Sequence, residues 1–230
     1  MESRYNTTNL RVKLREWGAS IVGFASLAGL VPYPLDELVY GVSIGARLSE
    51  SIVDELVIGP TKTYAYHYHA MNRYLDNLAM RAMSWLQAAG YRAFPIPTSQ
   101  TINIKDQEGL LSHKMVATRA GLGWIGKNAL LVTPKFGPRL RLTSVLTDAP
   151  FKTGKPVEES SCGDCQACVK ACPVAAIRGP NWSVECNRDY LLDVDKCAEK
   201  IDQGKEELGA PVCGVCIQAC PKGLDRAEVQ

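Results

Sequence analysis

Cys162-Gly-Asp-Cys165-Gln-Ala-Cys168-Val-Lys-Ala-Cys172-Pro173 has the spacing with which bacterial-type ferredoxins hold a cubane iron–sulfur cluster. The first three thiolates wrap one cube, while the fourth, beside proline, is turned away and ligates a neighbouring cluster. A second run, Cys213-Gly-Val-Cys216-Ile-Gln-Ala-Cys220-Pro221, repeats the ending of the first, with Cys197 upstream as the candidate for the missing ligand. The rule therefore predicts crossed ligation. Cluster one takes Cys162, Cys165, Cys168 and Cys220, and cluster two takes Cys197, Cys213, Cys216 and Cys172. Thiolates also suit zinc, but zinc sites usually show two separated CxxC pairs, and the CxxCxxCxxxCP run favours clusters. A disulfide framework belongs to secreted chains, and nothing else in this one looks secreted.

The chain has 230 residues, enough for one full domain and a small module. Apolar residues make up 46% and charged residues 22%, which is ordinary globular composition with material for a sizeable core. No stretch approaches the roughly 18 apolar residues of a membrane span. The amino terminus, MESRYNTTNLRVKLREWG, is polar and lacks an apolar signal-peptide core. A cytoplasmic protein with reduced cysteines and no membrane partner is expected. The formal charge of +2 counts thiols as neutral. Cluster ligation deprotonates eight of them, so the loaded protein is net acidic, and no long Lys/Arg run argues for nucleic acid as a partner. Lys135, Arg139 and Arg141 form a local basic strip, which reads as a solvated face.

Apolar periodicity places a short amphipathic helix over residues 9–17, stopped by Gly18. SIVGFASL and residues 38–48 read as strands, and YRAFPIP as another ending in a proline-rich turn. The clearest helix runs from Tyr64 to Ala89, with Met71, Leu75, Leu78, Ala82, Trp85 and Leu86 at steps of four and three before Gly90. His67 and His69 do not share a face of it, so surface or cavity-lining roles are expected. Residues 101–110 read as a polar loop over a site. A helix from an N-cap at Ser112 ends at Gly121. Residues 129–133 and 139–147 read as adjacent strands, and the polar stretch from Pro150 to Ser161 as a linker. The domain boundary is placed there, giving segments 1–150 and 151–230.

Gly121-Leu-Gly123-Trp124-Ile-Gly126-Lys127-Asn128 matches a dinucleotide GxGxxG and, save for its last residue, a phosphate-binding loop. Neither context fits. A dinucleotide turn follows a strand and opens a helix, whereas helical sequence precedes this one and a strand follows, and Asn128 stands where magnesium needs Ser or Thr. Two readings remain: a tight helix-to-strand turn, and a glycine surface that admits a large flat or anionic cofactor.

AGLGWIGKNALLV, GPRLRLTSVLTD, SIVGFAS and the double cysteine motif together resemble the cobalamin-dependent epoxyqueuosine reductase family, whose relatives include reductive dehalogenases. The likeness runs over nearly the whole chain, including VDKC at 194–197, which favours Cys197 over Cys186 as the ligand. Cys186 is then left over, as a small buried residue or a spare thiol. The resemblance implies a mixed α/β (α+β) domain similar to the flavin nitroreductase fold, followed by a ferredoxin-like module with two 4Fe–4S clusters. Cobalamin would lie in the first domain, lined by Gly121, Gly123, Trp124, Gly126, Lys127 and Asn128. Electrons would arrive from a reduced ferredoxin or flavodoxin-type donor, and low-valent cobalt would reduce the substrate.

Family members that act on transfer RNA carry a further helical-repeat domain after the clusters. This chain stops at Gln230, so the expected acceptor is a small molecule or a corrinoid protein. The family's acid in an Asp-x-Gly-Pro element is replaced here by Gln107-Glu108-Gly109-Leu110, which leaves Asp106, Glu108 and His113 as substitute proton donors. The rival expectation is an electron carrier that holds no corrinoid.

Overall fold

The computed structural model describes residues 6–100, 102 and 109–224. It is a mixed α/β fold whose chain builds two compact units that interleave along the sequence. The first comprises the described residues of Met1–Ala46, Asn72–Leu122 and Arg141–Val157; the second comprises Arg47–Met71, Gly123–Leu140 and those of Glu158–Gln230. Two consecutive segments meeting at residue 150 were expected. The cysteine-bearing segment instead gathers two earlier stretches into its unit.

In the first unit, helix α1 (Thr7–Glu16) starts at Asn6, whose side chain accepts from the Asn9 amide at 2.9 Å. Strand β1 (Ile21–Ser26) pairs antiparallel with β2 (Tyr40–Arg47), Phe24 lying opposite Val42. In the second unit, Ser49 precedes the short helix α2 (Glu50–Asp54). The long helix α3 (Lys62–Ala88) buries Leu75, Leu78, Ala82 and Leu86 of the stripe its periodicity selects, while Met71 and Trp85 are half-buried. Strand β3 (Ala93–Ile96) follows it, and helix α4 (His113–Arg119) is capped by the Ser112 hydroxyl.

The glycine stretch contains a two-residue strand, β4 (Trp124–Ile125), paired antiparallel with β5 (Leu131–Val132). Strand β6 (Leu140–Thr147) pairs antiparallel with β3, and the four-stranded sheet runs β1-β2-β6-β3. The expected neighbours, residues 129–133 and 139–147, thus belong to different sheets. The chain reverses between them: Thr133 and Gly137 exchange backbone hydrogen bonds of 3.0 and 2.9 Å.

One core cluster of the first unit packs Ala25, Leu27, Val116, Ala120 and Leu146. Helix α4 lies close to β1 because Gly23 has no side chain: a Cβ there would stand 2.7 Å from the Ala120 Cβ. The stretch read as a linker is only partly one. Phe151 is buried, the Gly154 amide bonds the Phe24 carbonyl at 2.8 Å, and the Val157 amide bonds the Thr118 carbonyl at 2.9 Å. Among the described residues no helix is long and apolar enough to cross a membrane.

Four helices complete the second unit: α5 (Ala167–Ala171), α6 (Arg188–Leu191), α7 (Val194–Leu208) and α8 (Val215–Gln218). Its core joins Leu48, Val53, Leu56, Tyr64 and Ala65 to Ala210 and Val212. The two histidines of α3 serve this unit as fasteners. His67 accepts the Ser49 amide at 3.1 Å, and His69 meets the Gly209 carbonyl at 3.2 Å, at the left-handed C-cap of α7.

Candidate metal centre

Each cysteine run is shaped by a short helix and the proline after it. Helix α5 carries Cys168 and stops at Cys172, whose backbone is extended (φ −67°, ψ 115°). A residue before proline is pushed out of the helical region, so the fourth cysteine leaves the direction of the first three. Cys220 stands before Pro221 just beyond α8, in the same relation to its run. Cys197 is brought in by the first turn of α7. Asp193 caps that helix by accepting the Lys196 amide at 3.2 Å, and the amide lowers the carboxyl's proton affinity.

The side chains gather into two sets. Cys162, Cys165, Cys168 and Cys220 line one cavity with Lys127, Asn128, Val132, Pro221 and Lys222. Burial first, then the neighbouring Cys220, Cys162 and Cys165, push the Cys168 thiol up to about 11. The second set shows the same mutual influence. Cys197 is raised by burial and then by Cys213 and Cys172, while Cys216 is raised by burial and then by Cys213, Cys168, Cys197 and Cys172. Cys216 feels Cys168 as well, which makes the two sets neighbours. Crowded, buried thiols hold their protons, so metal loading releases protons and strengthens as pH rises.

The donor set fits a pair of iron–sulfur cubes: two fours of soft thiolates, with nitrogen donors turned on the sulfurs. Trp124 Nε1 donates to Cys162 Sγ at 3.3 Å, and the Ala176 amide donates to Cys172 Sγ at 3.3 Å. Among the described residues no three His, Cys, Asp or Glu side chains converge tightly enough for a single bare metal ion. Cys186 stands apart, with its sulfur 3.3 Å from the Ser183 hydroxyl.

The glycine turn belongs partly to this centre. Gly121 is the left-handed C-terminus of α4 (φ +74°), and a Cβ there would meet the Lys155 carbonyl at 2.6 Å. At Gly123 a Cβ would stand 2.2 Å from the Val132 carbonyl, and at Gly126 it would meet Val132 Cγ2 at 2.7 Å. All three glycines thus answer to close protein neighbours. Trp124, Lys127 and Asn128 are buried, and Asn128 Nδ2 donates to the Cys216 carbonyl at 3.4 Å.

His113 holds a bond on each ring nitrogen: Nε2 to the Pro97 carbonyl at 3.2 Å and Nδ1 to the Ser144 hydroxyl at 3.0 Å. Burial is the main cause that lowers its pKa, which keeps the ring neutral at pH 7. Asp106 and Glu108 lie outside the described residues. One residue of the centre escaped the sequence reading. Arg139, expected on a solvated face, is 1% exposed. Its guanidinium donates to the carbonyls of Gln218 (3.0 Å), Cys220 (3.0 Å) and Lys222 (3.4 Å), so it holds the chain around the fourth cysteine of the first set.

Residues 161–223, which contain all eight of these cysteines, match the 4Fe-4S double cluster binding domain family. The chain is 35% identical over 130 residues to epoxyqueuosine reductase of Bacillus cereus, covering 51% of this chain and 31% of that one. It is 31% identical over 150 residues to the Pseudomonas aeruginosa enzyme, covering 62% and 36%. The matched stretch thus spans about a third of these curated relatives. Among solved structures, the catabolic reductive dehalogenase NpRdhA in complex with 3-bromo-4-hydroxybenzoic acid aligns with TM-score 0.75 at 19% identity, over 94% of this chain and 31% of that one. A selenomethionine-labelled epoxyqueuosine reductase aligns with TM-score 0.60 at 21% identity, over 94% and 65%. The chain carries a double 4Fe–4S cluster binding domain, is similar in sequence to epoxyqueuosine reductases over about half its length, and shares the fold of epoxyqueuosine reductase and reductive dehalogenase.

Proposed function

We propose that this protein is an epoxyqueuosine reductase-like iron–sulfur oxidoreductase that takes electrons one at a time onto two 4Fe–4S clusters and passes them to a corrinoid, which reduces a substrate. The observation that carries the proposal is the gathering of eight cysteines into two neighbouring sets of four. Cluster one is assigned to Cys162, Cys165, Cys168 and Cys220, and cluster two to Cys172, Cys197, Cys213 and Cys216. The unit of Arg47–Met71, Gly123–Leu140 and Glu158–Gln230 holds both clusters in this scheme, and the other unit supplies the acceptor side. A low-potential donor of ferredoxin or flavodoxin type in the cytoplasm, where thiols stay reduced, suits the chemistry.

The corrinoid rests on the fold neighbours. One of them is described as a reductive dehalogenase structure that suggests a mechanism for B12-dependent dehalogenation, and an epoxyqueuosine reductase was solved with a modified transfer RNA stem loop. The packed glycine turn does not add to that support. This same packing, with both nitrogens of His113 engaged, favours a second reading, in which the clusters hand electrons to a separate corrinoid protein.

Anaerobic purification and reconstitution with cobalamin, followed by iron, sulfide, cobalt and zinc analysis, separates these readings. Eight irons with one cobalt that survives gel filtration supports the corrinoid reductase. Eight irons without cobalt supports the electron carrier, and zinc in a colourless protein overturns both.

A further inference from the structure

Lys127 is 3% exposed and lines the cavity of Cys162, Cys165, Cys168 and Cys220. Among the described residues no carboxylate lies within ion-pair distance of it. A lysine in the wall of a cavity of thiolates, with no carboxylate beside it, places a positive charge where a negative group would compensate it. Four thiolates around an iron–sulfur core are such a group. Two further donors act on the same set: the Trp124 indole N–H on Cys162 Sγ, and the buried Arg139 guanidinium, which grips the Cys220 carbonyl.

The second set is equipped differently. Among the described residues the donor to its sulfurs is a backbone amide, that of Ala176 to Cys172. The nearby Lys196 is largely exposed and is engaged with Asp193 at 3.5 Å. Reduction adds a negative charge to a cluster. Close cations and N–H donors on the sulfurs favour that charge and raise the potential.

We infer that Lys127 serves as the buried countercharge of cluster one and, with Trp124 and Arg139, sets its reduction potential above that of cluster two. The inference rests on the ligand sets proposed above and is independent of the corrinoid. One electron then leaves cluster two, which is oxidised by one, and enters cluster one, which is reduced by one. No bond forms or breaks, and an external low-potential one-electron donor refills cluster two. Cluster one is where electrons collect.

The test is a potentiometric titration of the reconstituted full chain without corrinoid, with the clusters followed by electron paramagnetic resonance and dithionite as reductant. Iron and sulfide counts come first: a wild type that does not assemble eight irons overturns the cluster assignment itself. In a protein with eight irons, two one-electron waves are expected, and Cys197→Ala keeps the upper one. Lys127→Met lowers the upper wave alone, with at least a tenfold rise in the oxidised-to-reduced ratio at fixed potential, about 59 mV for a one-electron couple. Lys127→Arg restores it. Trp124→Phe removes only the indole donor and shifts the same wave in the same direction, and it decides the matter if Lys127→Met fails to hold cluster one. The inference is overturned if these variants move the lower wave, both waves or neither, or if Cys197→Ala retains only the lower wave.

Discussion

The indole nitrogen of Trp124 lies 3.3 Å from the sulfur of Cys162, so an N–H···S bond joins the glycine turn to the first cysteine run. Gly126 answers to the hairpin itself: a Cβ there would stand 2.7 Å from Val132 Cγ2 and 2.8 Å from Asn128 Oδ1, with the Cys162 sulfur at an ordinary contact distance of 3.7 Å. A turn that reads in sequence as a nucleotide motif is, in the fold, one wall of an iron–sulfur site.

Gly123 tests that packing. Gly123→Ala drives a methyl into the Val132 carbonyl, 2.2 Å from the ideal Cβ position, and breaks the β4–β5 pairing. A loss of about 3 kcal/mol in denaturant unfolding is expected, the upper end of ordinary overpacking. Gly90→Ala is the control: no heavy atom lies within 4 Å of its Cβ, and only the positive φ of 85° is strained, at about 1 kcal/mol.

The gathering of Cys162, Cys165, Cys168 and Cys220 about one cavity was legible in sequence because ligand spacing is local and the proline after Cys220 turns it out of its own run. Helix α3 was legible because a long apolar stripe has one period. The β4–β5 hairpin was not, since strands of two residues carry no periodicity. Arg139 was missed for a different reason. An arginine in KFGPRLRL looks like a solvent charge, and only the fold supplies the three carbonyls that let it be buried. Trp124 and Lys127 were singled out as residues of a cofactor pocket; in the fold Lys127 lines the cavity of the first cysteine set and Trp124 donates to the Cys162 sulfur.

Arg139→Lys keeps the charge but cannot span the carbonyls of Gln218, Cys220 and Lys222. Hydrogen bonds to a charged group contribute about 1.5–3 kcal/mol each, so a loss of roughly 3 kcal/mol is expected for the unit in chemical denaturation. Iron should dissociate from cluster one faster than from cluster two, as read by chelator-challenge kinetics.

His113 predicts a pH dependence. Burial holds its folded pKa below the unfolded value of 6.5, so the unfolded chain binds the extra proton first. The contribution to stability is complete above about pH 6.5 and falls away as pH drops through that value toward the folded pKa. His113→Gln should flatten this slope below about pH 6.5 in denaturant titrations; an unchanged slope counts against the assignment.

Cys186 pairs with the Ser183 hydroxyl, outside both sets. Cys186→Ser should leave the iron and sulfide content at the wild-type level. A loss of four irons would move Cys186 into a ligand set.

Crossed ligation is the central claim, and Cys172→Ala tests it most directly. Iron and sulfide counts with electron paramagnetic resonance on the anaerobically reconstituted variant should show cluster two damaged and cluster one intact, although Cys172 lies in the sequence run that supplies three ligands to cluster one. Loss of cluster one alone, with cluster two retained, would contradict the account.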